Sequence, residues 1–119
     1  MTARSTPYYN LIFHDNYVIA EANEGVVIDD DKVNETLKII FDHYKGNNFT
    51  LISHRKNHYT VDIDVYNLKM MKKLIALAIV SSDYSVKEKA ILEQLAFNKS
   101  FAFFENLEDA IGWAESVAV

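Results

Sequence analysis

The chain has no cysteine, which removes disulfides and thiolate-bound zinc together. One proline and three glycines among 119 residues leave little material for linkers, and no internal repeat or low-complexity tract is visible. Long apolar runs are missing as well. The longest, "LIALAIV" from Leu74 to Val80, falls far short of the roughly 20 residues that span a bilayer. The opening "MTARSTPYYN" lacks the apolar centre of a signal peptide, so a cytoplasmic protein is expected. In that setting the Asn-x-Ser/Thr triplets at Asn34, Asn48 and Asn98 never meet the glycosylation machinery. Basic excess is lacking too: the net charge is −5, which argues against general nucleic-acid binding. Only the opening stretch and Lys69, Lys72 and Lys73 offer a local basic patch.

What is present is the balance of a globular domain, 50% hydrophobic and 24% charged, in a length suited to one core. The reading is a single domain over residues 1–119, with 1–7 as a disordered N-terminus. "YYNLIFH" and "YVIAEAN" are strand-like and rich in aromatic and β-branched residues, and Asp15-Asn16 between them suits a tight hairpin. Asp29, Asp30 and Asp31 stand where a helix begins, placed to cap its free N–H groups. Val33, Leu37, Ile40, Phe41 and Tyr44 then form one apolar stripe, and Gly46 suits the left-handed residue after it.

"FTLIS" reads as a short strand, and Asp62 or Asp64 as the cap of a short helix carrying Val65, Leu68 and Met71. "LIALAIV" has no alternation, the mark of a parallel strand covered on both faces. Ser85 and Glu88 form a capping box for a helix expected to turn Ala90, Ile91 and Leu95 inward. "SFAFFE" is the last strand. Asn106 caps a final helix with Leu107, Ala110, Ile111, Ala114 and Val117 on its inner face. The order is ββαβαβαβα. It predicts a mostly parallel five-stranded α/β sheet with helices packed on it and the first strand antiparallel at an edge. An edge as apolar as "YYNLIF" invites pairing with a second copy, so a homodimer through the N-terminal edge strand is an expectation.

"EANEGVVIDDDKVNETLKIIFDHY", "FTLISHRKNHYTVD", "LIALAIV" and "FFENLEDAIGWAES", in that order, resemble the STAS superfamily, and in particular the small bacterial SpoIIAA-like proteins. A related fold group includes the CRAL-TRIO lipid-binding domains. The resemblance implies a regulatory or ligand-binding role. In partner-switching members a serine within Asp-Ser-Ser/Thr-Gly is phosphorylated at the start of the helix after the third strand. This chain has "HRKNHYTVD" there. Its nearest hydroxyls, Ser53, Tyr59 and Thr60, match no position of that motif, and no phosphorylation site is carried over.

In an open parallel sheet, ligands bind beyond the carboxyl ends of the strands. The candidate rim is therefore His54, Arg55, Lys56, His58 and Thr60 from one loop with Ser81, Ser82 and Asp83 from another. Cations and hydroxyls in that setting fit a small anion; the competing reading is a solvated connection. His54 and His58 have the spacing of metal ligands on a helix, but two cations lie between them and a third ligand is missing, so no metal or other cofactor is expected. Ser81 or Ser82 with His54 and Asp83 would be a nucleophile and its base, yet no G-x-S-x-G elbow presents a serine. "GxGxxG" and "GKS/T" are also absent. The expectation is a non-enzymatic regulatory or protein-interaction module with a partner the residues do not name. The alternative is a small binding protein for a lipid or another apolar or anionic molecule.

Overall fold

Alternating and unalternated apolar stretches assemble into a six-stranded sheet. The structure, a computed structural model, describes residues 2–117. In their order across the sheet, the strands are β1 (Thr2–Ser5), β2 (Tyr9–Phe13), β3 (Tyr17–Ala22), β5 (Thr50–His54), β7 (Ala76–Val80) and β8 (Ser100–Phe104). The β1–β2 and β2–β3 pairs are antiparallel, and β3, β5, β7 and β8 run parallel. The α/β class and the mostly parallel sheet are as the sequence predicts. A second, two-stranded parallel sheet joins β4 (Val27–Ile28) to β6 (Thr60–Val61). The helices are α1 (Asp30–Tyr44), α2 (Lys69–Lys72), α3 (Tyr84–Phe97) and α4 (Leu107–Val117), with a 3-10 turn over Ile63–Asn67. Among the described residues no helix is long and apolar enough to cross a membrane.

The expected five strands are six, because residues 2–5 are not disordered. They form β1, in register Thr2 to Phe13 and Ser5 to Asn10; Met1 lies outside the described residues. The turn that returns β1 onto β2 is built by Thr6 and Pro7. The Thr6 hydroxyl accepts from the Tyr8 and Tyr9 amides, and proline fixes φ at the second turn position. Consequently "YYNLIF" is not an edge, and the open backbone expected to recruit a second copy is already paired. The outer strand is the short, exposed "TARS", which blunts that edge.

One face of the sheet packs on α1, the 3-10 turn, α2 and α3, with Leu11, Val18, Leu37, Ile40, Leu77 and Phe97 in a common core. The opposite face packs on α4, where Ala110 and Ala114 meet Ile19, Ile52 and Ala78. Every side chain of β7 is buried, as its unalternated apolar run requires. Asp29 caps α1 by accepting from the Lys32 amide. The left-handed residue ending α1 is Lys45, followed by Gly46, also at positive φ. The Tyr44 hydroxyl lies 2.8 Å from the His14 carbonyl and 2.6 Å from that of Tyr17, tying the end of α1 to the β2–β3 turn.

Helix α3 departs from expectation in two ways. Its cap is Asp83, accepting from the Ser85 amide, rather than a Ser85–Glu88 box. Its buried residues are Ala90, Glu93 and Phe97, while Ile91 and Leu95 face outward. The outward turn of Ile91 and Leu95 follows from Glu93, which is paired with Arg55 beneath the helix.

Because Ala110, Ala114 and Ala78 are fully buried in close contact, α4 approaches the sheet through small side chains. Ala114→Leu should therefore overpack this layer and cost about 1–3 kcal/mol in urea unfolding.

Candidate functional site

Strand pleating sends successive residues to opposite faces, and this decides which cations of "SHRK" reach the rim. Ile52 lies on the α4 face, so His54 lies there too; Ser53 and Arg55 point to the α3 face. His54 Nδ1 is 3.0 Å from Glu21 Oε2, and Lys56 Nζ is 3.2 Å from the same oxygen. His54 thus ends against Glu21 on the far face and does not line the rim cleft. It is parted from His58, which does line the cleft.

On the α3 side, Arg55 meets Glu93 in a bidentate pair. Nη1 donates to Oε2 at 2.6 Å and Nη2 to Oε1 at 2.5 Å, with both side chains at least nine-tenths buried. Arg55 Nε also donates to the Ser53 hydroxyl. The Tyr66 hydroxyl donates to Glu93 at 2.7 Å, and the Tyr59 ring lies under the guanidinium. Burial opposes the charged guanidinium, but the hydrogen bonds and charge of Glu93 outweigh it and hold Arg55 more firmly protonated than in water. Burial pushes the phenols of Tyr9 and Tyr66 well up and raises that of Tyr59, so these groups act as neutral donors and acceptors.

The loop from Arg55 to Thr60 is pinned throughout. The Arg55 amide donates to Val80, Asn57 Nδ2 to the Ala22 carbonyl, and the His58 amide to Glu24. The Gly25 amide, on a residue at positive φ, returns a bond to the His58 carbonyl. Thr60 lies in β6, paired with Val27, and the following 3-10 turn is capped by Asp62.

Above the Arg55–Glu93 pair opens a cleft of about 600 Å³. It lies at the carboxyl ends of β5 and β7, and its volume falls within the roughly 300–1,000 Å³ of small-molecule pockets. Of the residues expected at the rim, Arg55, Lys56, His58, Thr60, Ser81, Ser82 and Asp83 all line it. Not every one is free to bind. Ser81 is buried and accepts from the Asp83 amide. Asp83 caps α3, and the Ser85 hydroxyl and amide hold its carboxyl below the usual carboxylate range. Ser82, Ser85 and Thr60 are exposed. Asn57, Tyr59, Lys89 and Glu93 also line the cleft. Sequence reasoning missed them, although a glutamate in register with Ala90 and Phe97 on a helix was a visible sign of a buried partner.

A second, inner cavity of about 60 Å³ lies beneath α1, lined by Tyr9, Val33, Leu37, Ile40, Leu77 and Arg55 among others. Thr36 also lines it, and its buried hydroxyl has no hydrogen-bond partner among the described residues. Such a volume suits about two water molecules, at about 30 Å³ each, and is far below that of a ligand pocket. An acyl chain does not fit there without movement of the core. Among the described residues, no three histidine or acidic side chains group closely enough to hold a metal ion.

The chain matches no protein-family model, no curated protein and no solved structure. The resemblance to STAS domains therefore rests on element order and local pattern alone.

The buried ion pair makes a double-substitution test. Removing one partner strands the other charge, so Arg55→Met should cost about 3–5 kcal/mol of stability. Arg55→Met combined with Glu93→Leu should recover most of that loss in chemical denaturation.

Proposed function

We propose that the protein is a non-enzymatic regulatory or interaction module of the STAS kind, and that its working surface is the cleft at the carboxyl ends of β5 and β7. Its ligand is an anionic group, carried by a small molecule or by a partner protein. One observation carries this reading: basic side chains and free hydroxyls converge on a ligand-sized cleft whose floor is already neutralised. Arg55 is satisfied by Glu93. Lys56 reaches Glu21, which leaves Lys89 and the His58 ring to meet a ligand on the lip, beside the Asp83 cap. A floor of a fixed ion pair and phenols held protonated supports binding rather than proton transfer. The small inner cavity favours an anionic ligand over a lipid tail.

Titration with inorganic phosphate and with a small dicarboxylate, followed by amide NMR, tests the reading. Saturable shifts at Lys56, His58, Ser82 and Lys89 are expected, and Lys56→Glu with Lys89→Glu should weaken binding about tenfold, the equivalent of ~1.4 kcal/mol. Binding of acidic peptides at the same residues, with free anions inert, would assign the anionic group to a partner protein. Amides unmoved by any of these ligands would sink the proposal.

A further inference from the structure

Helix α3 is apolar on both of its long faces. Its inner row is Val86, Ala90, Glu93 and Phe97, partly or fully buried. With 3.6 residues per turn, the row diametrically opposite is Tyr84, Glu88, Ile91 and Leu95, with Leu92 beside it. Tyr84, Ile91, Leu92 and Leu95 are 72%, 58%, 62% and 75% exposed, although they are larger than the aliphatic side chains α3 buries. A helix with so little difference between its faces is the kind that is covered on both.

We propose that the outer face of α3 is a homodimer interface, in which α3 of one copy packs antiparallel against α3 of a second. The spacing 84, 88, 91, 95 alternates four and three, the seam of a two-helix contact. In an antiparallel pair about a two-fold axis near Lys89-Ala90, that seam sets Tyr84 against the partner's Leu95 and Glu88 against the partner's Ile91. Two-fold symmetry then makes the charges self-complementary. Lys87 of each copy comes within reach of the partner's Glu88, so the one acid in the row meets a base.

The area agrees with a dimer. The four apolar side chains leave on the order of 500 Å² in water, the upper end of what a typical monomer exposes as one patch. A standard interface covers about 800 Å² per partner, and the exposed Ser85, Lys87 and Gln94 flanking the row supply a polar rim for the remainder. An anionic membrane is a poorer occupant, since Glu88 sits within the row and the chain is acidic overall. Leu92 and Lys89 also border the rim cleft, so the second copy would stand along one wall of it. The dimer is inferred independently of what the cleft binds.

Sedimentation equilibrium of the purified chain at high micromolar concentration tests this. A dimer mass is expected, and Leu95→Glu, which a two-fold axis places twice in the interface, should raise its dissociation constant roughly 30-fold. Helical circular dichroism should stay unchanged, because Leu95 is exposed in the monomer. Lys87→Glu should weaken the dimer about tenfold, and Lys87→Glu together with Glu88→Lys should restore it. A monomer mass for the unaltered chain, or a dimer indifferent to Leu95→Glu, overturns the proposal. Failure of the paired charge swap to restore association overturns the two-fold arrangement.

Discussion

Arg55 leaves the end of β5 on the face that α3 covers, and a guanidinium there is held away from water. Glu93 answers it with two hydrogen bonds, which fixes the rotation of α3 about its own axis. Turning α3 to bury Ile91 and Leu95 instead would gain about 1.5–3 kcal/mol for each side chain. It would also carry Glu93 toward solvent and strand Arg55 beneath the helix, at about 3–5 kcal/mol. The two sums are comparable, so the apolar gain alone does not decide the orientation. The pair has further support from Tyr66 and Ser53, and that extra hydrogen bonding favours the observed rotation. The floor of the cleft and the exposed row on α3 are two results of one electrostatic requirement.

The same pair divides the interior. Arg55 borders both the inner cavity and the outer cleft, so the polar cluster separates apolar core from solvated rim. A charged pair buried in this way contributes little net stability compared with well-packed hydrocarbon. What it supplies here is placement: it sets the helix that forms one wall of the cleft, while the pinned loop from Arg55 to Thr60 forms the other. With backbone bonds from that loop to Val80 and to Gly25, the lip is held without needing a ligand to order it, and preorganisation lowers the entropic cost of binding.

The parts legible in the sequence were those in which one physical demand acts alone. "LIALAIV" lacks alternation because both faces of β7 are covered, and the stripe of α1 is unambiguous because only one face of that helix meets the core. From parallel strands, the position of the rim follows, and most of its residues do converge there. His54 failed because a single residue step on a strand reverses the face, and the end of β5 was not defined closely enough to settle that parity. β1 was missed because "TARS" has no apolar pattern. It is recruited by the open edge of β2 and by the turn at Thr6 and Pro7, so its signal lies partly in its neighbour. The two-residue strands β4 and β6 are too short for any periodicity to register.

Helix α3 was misread for a different reason: two demands compete in it. Its aliphatic residues follow a helical period, and that period points Ile91 and Leu95 at the core unless the partner of Arg55 is known. That partner lies 38 residues away along the chain, so no local window contains both ends of the interaction. Once the pair is in place, the displaced aliphatic row has nowhere to go within the monomer. Its exposure is then a direct consequence of satisfying a buried charge. A second copy packed on Leu92 and Leu95 would take out of water the apolar row that the buried charge displaces.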